Sequence, residues 1–396
     1  MRESADLSPS SRVRLTITGA VGFLVLGAFA SVVGPTTPRL RAQFGLETAQ
    51  GAWLLAAFSA GSALGVVAAG LVRRRRPASA LLLSVGAALM AVGAAVLPLV
   101  PGGGAAVVCL LVAGTGFGVV DIVLNLTLAT SFGTRSGAVL TALSAAFGLG
   151  AVVTPVVVGW APADLRVPYW GCAAVAVALL GLTAGLRLPS APGGAAAASS
   201  RTRSRAVVPA LALVLLCYVA VEASTAGWAT THLAAFLDDG QASGAVAVFW
   251  LGLAAGRLGA APLLLRHDPG VLVVGCSIAG AAAAGLAAYA PLAVVAYGLV
   301  GLAIAPVFPA AIAWHAARVP TGRGATIIFA AALAGPLVAS PLIGLLTREA
   351  GVGAVPWALS GLALLTAAVA ATTRRFRDGA PDAERGVPAL SARPTR

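Results

Sequence analysis

The sequence contains no lysine, one asparagine (Asn125), three histidines, four cysteines and only 10% charged residues. A soluble globular protein carries about 25% charged residues, so this chain has too little ionised surface to face water on all sides. That shortage excludes a soluble enzyme, a disordered chain and a disulfide-built secreted domain. Cys109, Cys172, Cys217 and Cys276 lie far apart inside apolar runs, and no His, Cys, Asp or Glu cluster has metal-ligand spacing. No Walker-type phosphate loop and no Ser-centred nucleophile motif is present. Neither ATP, a metal, a cofactor nor an enzymatic reaction is therefore expected.

What fills the chain is apolar. Hydrophobic residues make up 59% of its 396 residues, and the mean hydropathy is +0.94. A helix needs about 20 apolar residues to cross the hydrocarbon core of a bilayer. Twelve such runs lie near 15–34, 50–72, 79–100, 105–130, 137–160, 169–187, 207–234, 244–265, 271–290, 292–316, 324–347 and 353–373. The fold expected is an all-α integral membrane protein of twelve transmembrane helices in two six-helix bundles.

The net charge of +13 comes from arginines set in short clusters between the apolar runs, such as Arg73 to Arg76 and Arg374-Arg375-x-Arg377. A nucleic-acid binder needs a basic face on a solvated domain, and no segment is long enough to build one. With the N-terminus inside, 21 arginines fall on the cytoplasmic side and four (Arg39, Arg41, Arg166, Arg348) outside. The positive-inside rule then places both termini in the cytoplasm of a cell-membrane protein. The first run, preceded by Arg12 and Arg14, contains Ala28-Phe29-Ala30, which resembles a signal-peptidase site. Eleven further runs follow, so it reads as an uncleaved first span.

Residues 188–206 are rich in Pro, Gly, Ala, Ser and Arg and read as a flexible cytoplasmic linker. It separates an N-terminal bundle, 1–187, from a C-terminal bundle, 207–376; residues 377–396 read as a disordered tail. The halves resemble each other. Gly61-x-x-x-Gly65 matches Gly252-x-x-x-Gly256 at an offset of 191, and Arg75 then falls on Arg266. Gly114 matches Gly301, and Gly137-Ala138 matches Gly324-Ala325, at 187. Such a parallel repeat implies a solute site between the halves, near the midplane.

Asp121, Glu222 and Arg257 are the only full charges well inside spans. Each costs at least about 2.5–3.5 kcal/mol at mid-helix unless a cavity or partner receives it. Gly114, Gly118, Asp121 and Asn125 share one face of span four, with Asp121 ten residues, roughly 15 Å, from the inner end. Asp121 is either a protonatable coupling group or a structural hydrogen-bonding carboxyl. Tyr218, Glu222, Thr225 and His232 share a face of span seven, with Trp228 beside it. Rings next to hydrogen-bonding groups suit a sugar or an amphipathic organic molecule. His232 reads as an interfacial anchor. Tyr218 is open to either role, and Glu222 to coupling or to a helix–helix hydrogen bond. Arg257 either pairs with a carboxylate or snorkels to the cytoplasmic face. One arginine cannot pair with both carboxylates, which leaves one of them to take a proton or another donor. Gly34-Pro35 is expected to end span one, while Pro155, Pro306, Pro309, Pro336 and Pro341 mark helices that bend. Trp314-His315 reads as an interfacial aromatic belt.

Several segments resemble one family in combination. They are Gly114-x-Gly116-x-Gly118-x-x-Asp121-x-x-x-Asn125, Phe147-Gly148-x-Gly150-Ala151-x-x-x-Pro155, Tyr218-x-x-x-Glu222-x-x-x-x-x-Trp228, Gly256-Arg257-Leu258 and Ala305-Pro306-x-x-Pro309. The chain resembles the major facilitator superfamily of transporters, and within it the fucose-permease-like branch of sugar–proton symporters. The resemblance implies alternating access about a central site, with Asp121 at the position of the span-four acidic coupling residue. Three departures stand out. The loop after span two reads Gly70-Leu71-Val72-Arg73, without the usual Asp; span one has no carboxyl; and Ser144 stands where a larger polar side chain is common.

The expectation is a proton-coupled transporter of a small organic solute, sugars included, working as a monomer in the lipid bilayer without nucleic acid. Asp121 and Glu222 would carry protons, and Asn125, Tyr218, Thr225 and Trp228 would line the site. Arg257, Gly256, Pro155, Pro306 and Pro309 would serve gating or helix packing. The alternative is proton-antiport efflux of amphipathic molecules; a non-transporting sensor or scaffold is a third.

Overall fold

In the computed structural model, residues 9–75, 79–132, 136–161, 164–184, 186, 201–316 and 325–378 are described, and among them there is no strand. The helices are α1 (Pro9–Phe44), α2 (Thr48–Arg75), α3 (Ser79–Val96), α4 (Gly103–Ser131), α5 (Ser136–Trp160), α6 (Arg166–Thr183), α7 (Arg201–Leu233), α8 (Asp239–Arg266), α9 (Pro269–Leu286), α10 (Ala293–Ile304), α11 (Val307–Ala316), α12 (Ala325–Ala350) and α13 (Ala354–Asp378). With α10 and α11 counted as one broken span, these are the twelve expected crossings. By length and composition 11 segments suffice to cross a membrane, and the apolar part of α5, Ala145–Trp160, is shorter. Large side chains such as Leu258, 75% exposed, and Leu265, 89% exposed, point outward, as a lipid-facing surface requires.

Helix ends follow local chemistry. The Asp238 carboxylate caps α8 by accepting from the Gln241 N–H at 2.8 Å. Asp268 caps α9 by accepting from Gly270 and Val271, at 2.9 and 3.1 Å. Helix α7 begins at Arg201, inside the stretch read as a linker, and α13 runs on to Asp378, just past the expected start of the tail. The remaining linker and tail residues, Arg76, Arg135, Arg187, Arg318, Arg323, Gly324 and the side chains of Gly137, Ser144 and His315 lie outside the described residues.

The expected end of span one at Gly34-Pro35 is corrected: α1 continues through Pro35 and Pro38 to Phe44. Pro35 and Pro38 leave the Ser31 and Gly34 carbonyls without an N–H, and the hydroxyls nearby bond other carbonyls of the same turn. Thr36 Oγ1 donates to Val32 O at 2.7 Å and Thr37 Oγ1 to Val33 O at 2.7 Å. Helices α5 and α12 likewise run through Pro155, Pro336 and Pro341. Among the described residues a span breaks only at Ala305-Pro306, into α10 and α11.

The internal repeat recurs contact by contact. A Cβ on Gly114 of α4 would overlap the Phe58 carbonyl of α2, and a Cβ on Gly301 of α10 would overlap the Phe249 carbonyl of α8. Gly61 meets the Leu111 carbonyl as Gly252 meets that of Gly298, and Gly65 meets the Thr115 carbonyl as Gly256 meets that of Leu302. Every pair obeys the offsets of 191 and 187. Small residues let backbones touch, which is how membrane helices gain packing energy without a hydrophobic drive between them.

The repeats meet at the end that carries the α1–α2, α5–α6, α7–α8 and α12–α13 joins, the odd-loop end. A Cβ on Gly34 of α1 would overlap the Ala226 carbonyl of α7. One on Gly159 of α5 would stand 2.8 Å from the Gly240 carbonyl of α8, and one on Gly344 of α12 would stand 2.8 Å from Ala52 of α2. Ser243 donates to Pro35 O at 3.2 Å. Arg39 donates to Ala161 O and Val158 O, each at 2.8 Å, tying α1 to the end of α5. No glycine among the described residues makes such a contact between the repeats at the opposite end.

Candidate functional site

Four helices converge on the charged residues. On α4, the Asn125 amide donates to Asp121 Oδ1 and to the Asp121 carbonyl, both at 2.9 Å. The 3.6-residue turn makes this pairing local: residues four apart stack on one face. Asp121 has no ion-pair partner within 4 Å among the described residues, yet the field of Arg257 reaches it from α8. On α7, Tyr218 donates to Glu222 Oε2, again one turn apart. Arg257 Nη2 donates to Glu222 Oε1 at 3.2 Å and Oε2 at 3.4 Å. The guanidinium lies 5.6 Å above the Phe147 ring of α5, within cation–π range.

Arg257 therefore pairs rather than snorkels. Leu258, its neighbour in sequence, is 75% exposed. Successive helical residues diverge by about 100°, and Arg257 turns to α5 and α7 while Leu258 turns to lipid. The order of charges also resolves the arithmetic of two carboxylates and one arginine: Glu222 takes the cation and Asp121 takes the amide.

An aromatic wall surrounds these groups, and sequence reasoning missed most of it. Phe147 and Trp250 rings lie 5.9 Å apart, Tyr218 and Phe308 6.2 Å, and Phe308 and Phe329 6.2 Å. Phe147 could have been found, because it opens the Phe147-Gly148-x-Gly150 motif; Phe308 could have been found between Pro306 and Pro309. Trp250 and Phe329 carry no local signal. The indole N–H groups of Trp228 and Trp250 and the hydroxyl of Ser224 are buried without a hydrogen-bond partner.

Not every expected residue faces open space. Thr225 is fully buried and its hydroxyl donates to Val221 O at 2.8 Å; Trp228 is 2% exposed. Both are enclosed because α7 packs against α1, α8, α12 and α13. His232 is not an interfacial anchor either. It is buried, with Nδ1 3.0 Å from the Tyr297 hydroxyl of α10. Trp314 is also buried rather than lying in a belt. Gly256 packs α8 on α10, Pro155 is buried within α5, Pro306 breaks span ten and Pro309 lies in α11. An apolar groove of about 300 Å³ lined by Gly256, Cys276, Leu302 and Pro306 lies between α8, α9 and α10, and none of the charged residues lines it.

Twelve apolar crossings, a repeated helix-packing scheme and a charged centre between the repeats define a membrane transporter rather than an enzyme. The family model described as Major Facilitator Superfamily matches residues 19–321, and the chain belongs to that superfamily. No curated protein matches the sequence. Among solved structures, a D-xylose–proton symporter is similar with 14% identity and a TM-score of 0.76, covering 91% of this chain and 97% of that one. The nucleoside transporter NupG is similar with 13% identity and a TM-score of 0.70, covering 92% and 99%. The E. coli fucose:proton symporter FucP, in a variant form, shares 16% identity at a TM-score of 0.64, covering 91% and 98%. At these identities the likeness is one of fold.

Proposed function

We propose that this protein is a proton-coupled secondary transporter that moves a small organic solute by alternating access. Its halves, 1–187 and 207–376, rock about the site between them, with Asp121 as the coupling carboxyl. The observation that carries this reading is the placement of Asp121. It sits at mid-span, held by one amide and by no cation within 4 Å among the described residues, in the field of Arg257. A carboxyl so placed can gain or lose its proton without breaking an ion pair, which suits it to load and unload a proton with each cycle. Glu222, already bonded by Tyr218 and Arg257, is the less mobile proton site and acts on the solute side. Asn125 completes the lining, and Tyr218, as buried as Thr225, holds Glu222 in place.

The arginine bias places the odd-loop end outside a cell membrane and both termini in the cytoplasm. The contacts at Gly34, Gly159 and Gly344 then close the external side, and the structure is an inward-facing state. The transport unit is a monomer, since all four site helices belong to one chain. Sugars and nucleosides, named for the similar structures, are the first solutes to try.

The test is Asp121→Asn in proteoliposomes. The variant keeps shape and hydrogen bonding but carries no titratable proton. Uptake driven by a proton gradient should be abolished, while solute exchange at equal pH on both sides should persist in part. Unchanged pH dependence of uptake would reject the coupling role.

A further inference from the structure

The hold of Arg257 on Glu222 leaves the better half of the guanidinium open. An Arg–carboxylate pair is strongest as a fork on a fork, with two parallel N–H···O bonds in one plane. Here one nitrogen, Nη2, serves both carboxylate oxygens, at 3.2 and 3.4 Å. Among the described residues the guanidinium's other hydrogen-bonding neighbour is the Tyr218 hydroxyl, itself committed to Glu222, so no second carboxylate occupies the Nη1–Nε edge. The Arg257 side chain is 35% exposed against 13% for Glu222. Its plane is steadied on the Phe147 ring, and it points between the repeats rather than to lipid. The partly exposed guanidinium thus keeps donor capacity beyond what Glu222 takes up.

The rest of the centre fits the same kind of ligand. A neutral polyol needs a rim of mixed donors and acceptors, with amide side chains foremost. The chain has one asparagine, and its amide nitrogen is committed to Asp121. Around it stand Phe147, Phe308, Phe329 and Trp250, an apolar wall for a carbon body.

We propose that the solute is an organic monoanion, a carboxylate on an apolar or aromatic body, which docks its two oxygens on the open Nη1–Nε edge of Arg257 while Asp121 holds a proton. The proposal rests on the reading of Asp121 as the coupling carboxyl. The charge balance requires the proton. At rest, with both carboxyls ionised, Asp121, Glu222 and Arg257 sum to one negative charge. A bound anion would make two, in a setting where unpaired charge is costly. One proton on Asp121 restores the resting value, so one anion and one proton travel together and transport carries no net charge. The ionisable group whose field reaches Asp121 is Arg257 of α8, which in turn is held by Glu222 of α7. The mid-span stretches of α1, α2, α3 and α5, which pack on α4, contain none.

The experiment uses the purified full chain and a matched panel: benzoate, phenylacetate, 3-phenylpropanoate and 4-methylpentanoate, each beside its amide, with xylose and fucose as neutral polyols. Thermal unfolding is read first. At saturating ligand an acid should raise Tm by about 5 °C, and its amide and the sugars should not. Titration calorimetry in buffers of different ionisation enthalpy should then show about one proton taken up per acid bound at neutral pH, and none in Asp121→Asn. Arg257→Gln should lose the acid-induced shift and Arg257→Lys, which keeps the charge but not the fork, should retain only a small part of it. The acid–amide contrast needs no variant, so misfolding of either variant leaves the test intact. The proposal is overturned by stabilisation from the amides or sugars equal to that from the acids, by the absence of a shift with every acid, or by acid binding without proton uptake. A neutral solute whose uptake still requires Asp121 would remove this inference and leave the proposed function standing. Uptake indifferent to Asp121→Asn would remove both.

Discussion

Helix α4 and the α10–α11 pair occupy matching places in the two repeats, yet they are built for different work. Both press glycines against the backbone of a partner, Gly114 on Phe58 and Gly301 on Phe249. Beyond that shared seam they part. Helix α4 is unbroken, and it carries Asp121 and Asn125. At the offset of 187, Asp121 falls on Phe308 and Asn125 on Ile312, just past the break at Pro306. One repeat thus presents a carboxyl on a rigid helix and the other an aromatic ring on a jointed one. The difference teaches that the repeat conserves how helices touch and frees the facing residues. Packing must be satisfied in both halves, whereas the residues that face inward between the halves need not match.

The comparison can be pressed hardest at the seam. Gly114→Leu and Gly301→Leu should each cost more than about 3 kcal/mol, because the new side chain meets a carbonyl backbone that cannot yield. Size-exclusion profiles and thermal unfolding in detergent should show both variants largely misfolded; tolerance of one alone would break the equivalence of the seams. Next comes the centre. Glu222→Ala leaves Arg257 without its anion, at a cost of about 2–3 kcal/mol, less than for a fully buried pair since Arg257 keeps some access to water. A fall in Tm, absent from the double variant Glu222→Ala with Arg257→Met, would measure that orphaned charge. A smaller effect is expected at the joint. Pro306→Ala restores an N–H to the Leu302 carbonyl and should change stability by about 1 kcal/mol, while altering the transport rate more than the apparent affinity for solute. The smallest is Ser84→Ala, which removes the 2.8 Å hydrogen bond to Thr183 between α3 and α6 and should lower stability by about 0.5–1 kcal/mol.

The span count and the repeat could be read ahead of the structure because each is a one-dimensional signal. Apolar length announces a crossing, and Gly61, Gly65, Gly252 and Gly256 keep their spacing in both halves. The pairing of Tyr218 with Glu222 and of Asp121 with Asn125 was legible for the same reason, since residues four apart must meet on a helix. Span one was misread at Pro35, because the helix there is held by tertiary packing, such as Gly34 against the Ala226 carbonyl of α7, between residues far apart in the chain. His232 and Tyr297 meet across 65 positions with no pattern linking them. Thr225 looked like a lining residue from its face on the helix, but α7 is enclosed on more sides than an amphipathic stripe suggests.

By itself the sequence determined that this chain lives in a bilayer, how many times it crosses, that its halves repeat, and which three ionisable groups must be sheltered at depth. Those conclusions follow from solvation costs that act residue by residue. Only the tertiary structure decided which carboxylate Arg257 holds, at which end the repeats pack together, and that one guanidinium nitrogen serves both oxygens of that carboxylate. Such choices depend on distances between helices far apart in the chain, and no local energy specifies them.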